Sequence, residues 1–399
     1  MCVDAAARDV GGARTAPPPV GRGGRVAADL LVFVREKVAE ISGRDEKEVR
    51  VAACPYRICP LGAHIDHQGG IVTAMTIDHG VLLGFVPSND SEVVLQSGQF
   101  EGVIQFRVDD LQKPIDNPEN INWESYARGA VYALQNNGYD LKKGIIGYIS
   151  GVKGLDSSGL SSSAAVGIAY LLALENVNDL IISPVDNIHL DKCIENKYLG
   201  LENGILDPSA ILLSRYGYLT LMDCKTASPS YVYFSELSKS QLSPEQLPFK
   251  ILLAFSGLQH NLPKKRGYNT RVYECKESAL DPAVYEAQKC ILDENLSRRA
   301  EHYFSEMKRV AKGSKEMIQL YEILLKAPGV LGARFSGAGF RGCCLAIVEP
   351  DRAEEAAEFV RAEYEKAQPE LVCKIPADRR VLVCEPGDSA RVILPDPRF

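Results

Sequence analysis

Residues 151–167 read GVKGLDSSGLSSSAAVG, and they join two segments of different character. Ahead of them IIGYISGV reads as a strand; behind them SSSAAVGIAYLLALENV is a strong helix. A helix start presents N–H groups with no intrahelical acceptor and a partial positive charge, so it favours an anion. Glycines let a ligand approach the backbone, and Ser161, Ser162 and Ser163 can cap the helix or bind phosphate and a metal ion. On this loop alone two readings stay open, a serine-capped helix and a phosphate cradle. Gly154, Gly159, Leu160 and Ser161 copy the spacing of a Walker A loop, but leucine stands where lysine is required. A P-loop NTPase is therefore excluded.

Working outward, 26–43 (VAADLLVFVREKVAEISG) carries apolar residues at helical spacing and ends at glycine, which predicts a helix. EVRVAACPY reads as a strand, and IVTAMTIDHGVLLGFVPS as two more. EVVLQSG and GVIQFRVDD follow, in a mostly antiparallel sheet. A helix is expected over 123–136. A Ser-, Glu- and Pro-rich stretch around 237–248 marks a domain boundary. Beyond it come a strand (FKILLAFSG), helices at 282–312 and 314–326, two strands (GVLGARFSG and GCCLAIVEP), a charged helix at 350–367, and closing strands near VLVCEP and ARVIL. That order is α+β, and 399 residues suit two domains. The expected organisation is a tail at 1–24, an N-terminal domain at 25–240 and a C-terminal domain at 248–399.

Apolar residues at 46% and charged residues at 24% describe an ordinary soluble chain. A net charge of −7 argues against nucleic acid as the main partner. No apolar run is long enough to span a bilayer. Eleven scattered cysteines with no CxxC pair suit a reducing compartment. The Ala-, Gly-, Pro- and Arg-rich tail has two acids and no serine, and reads as a disordered cytosolic segment rather than a transit peptide. The protein is accordingly expected in the cytoplasm.

Two further loops carry polar side chains. Gly337, Gly339 and Gly342 have GxGxxG spacing, but a buried strand follows them instead of a helix, so a glycine-rich hairpin replaces the dinucleotide reading. CPYRICPLGAHIDHQGG (54–70) gathers Arg57, His64, Asp66 and His67 between strands. No second His or Cys cluster completes a hydrolytic metal site there. Asp and Arg converging on a turn suit sugar hydroxyls and phosphate better.

Together these loops resemble the GHMP kinases, the family of galactokinase, homoserine kinase, mevalonate kinase and phosphomevalonate kinase. The stretch from Pro55 to Gly70 looks like the galactokinase signature, GLSSSAA (159–165) like the phosphate loop, and ARFSGAGFRGC (333–343) like the glycine-rich third motif. IENKYLGLENGILD (194–207) is similar to the stretch supplying a metal-binding glutamate and a catalytic aspartate. The resemblance implies an ATP-dependent sugar kinase with a ribosomal-protein-like N-terminal domain and a ferredoxin-like C-terminal domain. It implies Gly159, Leu160, Ser161, Ser162, Ser163 and Ala164 around ATP, with Trp123 near the adenine. It implies Glu195 and Ser162 on Mg²⁺, Asp207 beside the attacking hydroxyl, and Arg57 stabilising developing charge. His64, Asp66 and Tyr268 would line the sugar pocket. Read without the family, Asp207-Pro208 looks like a helix start, and Glu195 like a surface carboxylate.

Departures from the family pattern carry information. Ala63 stands where galactokinases have the glutamate that reaches the sugar hydroxymethyl group. A uronic acid could not share a pocket with that glutamate without repulsion or protonation. The wording YRICPLGAHIDHQGG looks closest to plant galacturonokinases, so galacturonate is the expected substrate, with Tyr56, Tyr268, Lys264, Lys265 and Arg266 as candidate partners of its carboxylate. Leu155 replaces a usual proline and Pro208 a frequent glutamine. Lys312-Gly313-Ser314 joins two helices directly where family members carry a further helix and loop, which predicts reduced or absent activity.

Overall fold

The structure, a computed structural model of the chain, describes residues 25–62, 65–66, 69–117, 120–151, 159–226, 228–233, 249–258, 315–336 and 342–395. The tail, the expected boundary at 240–248, the helix expected over 282–312 and the Gly313 junction lie outside the described residues.

The first sheet runs in the order β12-β1-β2-β5-β3-β4, with β6 also pairing β2, and β7 pairing β6. Its members are β1 (Arg50–Leu61), β2 (Ile71–Pro87), β3 (Glu92–Ser97), β4 (Val103–Arg107), β5 (Ile145–Gly151), β6 (Tyr218–Asp223), β7 (Ser228–Tyr233) and β12 (Arg391–Ile393). Every pairing is antiparallel except β3 with β5. One face is covered by α1 (Arg25–Ser42), which lays Val34 and Val38 against Val86 and Tyr148. The other carries α2 (Trp123–Asn136), α3 (Ser162–Val177), α4 (Pro184–Lys192) and α5 (Leu206–Leu213) around the main core. α2 begins where expected because Asn122 and Ser125 form a reciprocal capping box, each bond 3.1 Å.

The second sheet is β11-β8-β10-β9, all antiparallel, built from β8 (Lys250–Phe255), β9 (Val330–Phe335), β10 (Cys343–Val348) and β11 (Val381–Cys384). Alternation splits its side chains. Leu252, Ala254, Cys344 and Ala346 pack under α6 (Lys315–Lys326) and α7 (Ala353–Ala367), while Ile251, Leu253, Phe255, Cys343 and Leu345 join the main core. The two halves therefore share apolar packing. Among the described residues no helix is long and apolar enough to cross a membrane.

Two readings of the chain need correction. IVTAMTIDHGVLLGFVPS forms one 17-residue strand, not two. Gly80, within it, keeps β2 against β1, since a Cβ there would stand 2.2 Å from the Cys54 carbonyl oxygen. The closing strand, assigned by the sequence to the second half, pairs instead with β1, Val51 facing Ile393.

Glu175 on α3 is buried, accepting one hydrogen bond from Asn187 at 3.2 Å, while Oε1 has no partner. Burial pushes its carboxyl from 4.5 up to about 7, against the pull of Asn187. The folded value lies above the unfolded one, so stability is lost as pH rises from about 4.5 to 7 and is level above. Glu175→Gln should remove that slope. Denaturant titrations from pH 5 to 8 should show the variant gaining on the wild-type protein by up to about 3 kcal/mol. A pH-independent difference would reject the reading.

Candidate active site

The candidate site lies where β1, the start of α3 and the start of α5 meet. β1 carries Arg57 inward, 6% exposed. Its Nε donates to Asp207 Oδ1 at 2.7 Å, its Nη1 donates to the Gly159 carbonyl at 2.9 Å, and its backbone N–H donates to the Leu160 carbonyl at 3.2 Å. Arg57 thus clips the phosphate-type loop to the aspartate. Burial alone would lower the guanidinium pKa; the charge and hydrogen bond of Asp207 outweigh it, and the net shift is upward. A buried cation fixed in this way is permanently charged.

Asp207 occupies the first turn of α5, but it does not cap it. The cap position is Ile205, without a side-chain bond, and Asp66 reaches across to accept from the Leu206 N–H at 3.2 Å. The helix does start here, as the Asp207-Pro208 pair suggests, but Asp207 stands in its first turn and not at the cap. Its carboxylate is turned to Arg57 because Asp66 has taken the helix end.

The start of α3 bears on the two readings of its serines. Ser161 stands at the N-cap position with φ +61°, the left-handed region, and makes no capping hydrogen bond. Its Oγ is buried without a partner. A non-glycine residue in that region is unusual, and the conformation is characteristic of ligand-holding turns. Leu160 is fully buried behind it. Ser161 therefore does not cap α3 with its side chain; a helix start left open in this way suits an anion. From the second sheet, Ser336 Oγ donates to the same Gly159 carbonyl at 2.9 Å, and Arg334 donates to the Pro60 carbonyl at 3.0 Å. Both halves hold the loop.

Glu195 is not a surface carboxylate. It sits in a π-helical turn (Cys193–Tyr198) that continues α4, at 1% exposure. Asn203 Nδ2 donates to Oε2 at 2.7 Å, while Oε1 is buried without a partner. Burial pushes its carboxyl up to about 7, with Asp207 adding to the rise while Asn203, Ser163 and Arg57 oppose it. The Ser163 hydroxyl also lowers the Tyr126 phenol, against a net rise from burial.

Sequence reasoning missed Asp191. It is fully buried on α4, both carboxylate oxygens lack partners, and burial, then Glu195 and Asp207, raise its pKa well above the usual range. Gly167 on α3 makes room for it, since a Cβ there would stand 2.5 Å from Asp191 Oδ1. The available signal was an acid one helical turn before Glu195 in IHLDKCIE, on the same helix face. Unpartnered oxygens on Glu195 and Asp191, beside the serine hydroxyls, make an all-oxygen donor set of the kind Mg²⁺ takes.

Trp123 is not drawn into this cluster by any described contact; it stacks on Phe100, 6.3 Å between centroids and 11° between planes. Ala63, His64, Tyr268, the basic run 264–266, Gly337 and Gly339 lie outside the described residues.

Residues 125–215, from α2 through α5, match the N-terminal domain of the GHMP kinases, and residues 283–366 match the C-terminal domain. A galacturonokinase of Arabidopsis thaliana is 54% identical, over 91% of this chain and 98% of its own. The chain belongs to the GHMP kinase family. A galactokinase of Clostridium perfringens is 31% identical, over 78% of this chain and 89% of its own. The structure of Lactococcus lactis galactokinase with galactose superposes on this GHMP kinase with a TM-score of 0.75, at 27% identity, over 92% of this chain and 99% of that one. A mevalonate kinase shares the fold at 18% identity and a TM-score of 0.56.

Proposed function

We propose that this GHMP kinase transfers the γ-phosphoryl group of ATP to the anomeric hydroxyl of D-galacturonate, giving galacturonate 1-phosphate and ADP. The observation that carries the phosphoryl transfer is the pairing of buried Arg57 with half-buried Asp207, fastened to the Gly159 carbonyl at a helix mouth. The choice of sugar is supported by 54% identity to the Arabidopsis galacturonokinase, against 31% to the Clostridium galactokinase.

Phosphoryl transfer needs little beyond positioning and charge neutralisation. The α3 start, with Ser161, Ser162, Ser163 and the Ala164 N–H, receives the phosphates, and Trp123 lies towards the adenine. Asp207 takes a hydrogen bond from the anomeric hydroxyl and holds it in line. Arg57 neutralises charge developing on that oxygen and on the passing phosphoryl group. Bound Mg²⁺, held by Glu195 and Ser162, would supply charge neutralisation on the phosphate oxygens. His64, Asp66 and Tyr268 bind sugar hydroxyls, and Ala63 leaves space for the sugar carboxylate. The eight cysteines among the described residues form no disulfide, which supports a cytoplasmic setting.

ADP release, measured with galacturonate, glucuronate and galactose in parallel, tests the reading. Turnover with galacturonate alone is expected; equal turnover with galactose would replace it by a neutral-sugar kinase. Ala63→Glu should shift preference towards galactose by at least about tenfold in kcat/KM, from like-charge repulsion of the uronate. Unchanged preference would remove Ala63 from the specificity argument.

One observation favours a second reading, an impaired ATP- and sugar-binding regulator or splice variant. The match to the Arabidopsis protein runs over 424 residues, more than the 399 of this chain, so that relative carries residues without a counterpart here. The direct junction at Gly313 is where we place the gap. ATP binding with no turnover on any of the three sugars would select this reading.

A further inference from the structure

β2 does not run evenly along β1. Pro55 faces Gly80, yet Arg57 faces Thr76, so Ile77, Asp78 and His79 are pushed out of the ladder opposite Tyr56. Bulges of this kind re-aim side chains. The chain leaving β11 closes over the outward loop. Ile77 bridges Pro386, the Asp78 N–H donates to the Glu385 carbonyl at 3.0 Å, and the Glu385 N–H donates to Asp78 Oδ1 at 3.1 Å. The Gly387 N–H donates to the Thr76 carbonyl at 2.8 Å. These bonds bring the last residue of β11, Cys384, to the bulge.

Three different metal-ligating groups meet there. A carboxylate oxygen of Asp78, a ring nitrogen of His79 and the sulfur of Cys384 all lie within 4.8 Å of one another. His79 Nδ1 and Asp78 Oδ1 are 2.9 Å apart, both half-buried, and Cys384 is fully buried. Ligand atoms on a tetrahedral zinc ion stand roughly 3.5 Å apart, given bonds of about 2.0–2.3 Å. The observed spacing brackets that value, so side-chain rotation is enough to form the site. Thiolate and imidazole select zinc-like ions over Mg²⁺.

We propose that Asp78, His79 and Cys384 form a binding site for a thiophilic divalent cation of the zinc class, with water as the fourth ligand. The site joins a strand of the first sheet to a strand of the second, directly behind the β1 segment that carries Arg57. It is separate from the Mg²⁺ donors around Glu195 in both place and chemistry. Binding replaces the Cys384 thiol proton, which leaves to solvent, by the metal; no oxidation is involved. The ion would fasten the end of β11 in the second sheet to the β2 bulge of the first.

Cadmium is the probe, because thiolate coordination gives an ultraviolet charge-transfer band. Titrating the full chain with Cd²⁺ should develop that band with one equivalent, and Zn²⁺ should displace it. Cys384→Ser should abolish it, whereas Cys373→Ser, an exposed cysteine outside the cluster, should leave it intact. His79→Gln should lower Zn²⁺ affinity about 100-fold or more, since loss of even an outer-sphere partner costs 10–100-fold. It should also abolish the Zn²⁺-induced rise in melting temperature. Should Cys384→Ser fail to fold, His79→Gln and Asp78→Asn carry the test. Zn²⁺ isotherms identical in wild type and His79→Gln, or a Cd²⁺ band that survives Cys384→Ser, would overturn the proposal. No readout depends on turnover, so its outcome is independent of the sugar-kinase reading.

Discussion

With Asp207→Asn, kcat is expected to fall by about 10³-fold while ATP affinity stays within about threefold. The carboxylate accepts from Arg57 at 2.7 Å and, on the proposed chemistry, from the sugar hydroxyl as well. An amide has one acceptor end. Facing the Arg57 donors, it must turn its oxygen to them and its NH₂ towards the hydroxyl, where two donors collide. Buried Arg57 also loses its counter-charge, at a stability cost of about 1–3 kcal/mol. Arg57→Met should be worse for the fold, about 3–5 kcal/mol, because it leaves Asp207 without its partner and the Gly159 carbonyl with Ser336 as its remaining side-chain donor. The double variant should be no slower than the worse single one, since the two act as a unit. Single-turnover kinetics and nucleotide binding on the same preparations decide the matter. A kcat for Asp207→Asn within tenfold of wild type would remove Asp207 from the chemistry.

Glu195→Ala should raise the Mg²⁺ needed for half-maximal rate by at least about 100-fold, and should weaken Mn²⁺ binding, read by electron paramagnetic resonance, by a similar factor. The reason is geometric. Oε1 is the buried oxygen that no protein group uses, while Asn203 fixes the other. Removing the carboxylate also relieves a buried charge clash with Asp191 and Asp207, so the variant should be no less stable than wild type. A variant that loses stability but keeps its Mn²⁺ affinity would make Glu195 a packing residue.

What the sequence made legible was local. α2 is read to its ends because Asn122 and Ser125 cap it and its apolar spacing is helical. The Gly159–Ala164 loop is legible because glycine, serine and the strand-to-helix switch are all encoded in one stretch. Asp191 was not, because an acid in a mixed polar helix has no motif; only the packing of α4 against α3 reveals its burial. The unity of β2 was not legible either, because a glycine in a strand, such as Gly80, has the same spelling whether it breaks the strand or admits a neighbour. The pairing of β12 with β1 depends on residues 340 positions apart, and alternation carries no record of partners. Asp66 was read for sugar binding, and its bond to the α5 start depends on that same long-range assembly.

That late pairing has a consequence for how the protein is made. The edge of β1 is covered only when residues 391–393 have left the ribosome. At about 5–20 residues per second, the strand bearing Arg57 waits on the order of tens of seconds with one edge open. An open edge is a template for other chains, so nascent copies crowded on one messenger are most prone to cross-pair during that interval. A chain stalled short of β12 would carry the whole candidate site and still be a hazard to its neighbours.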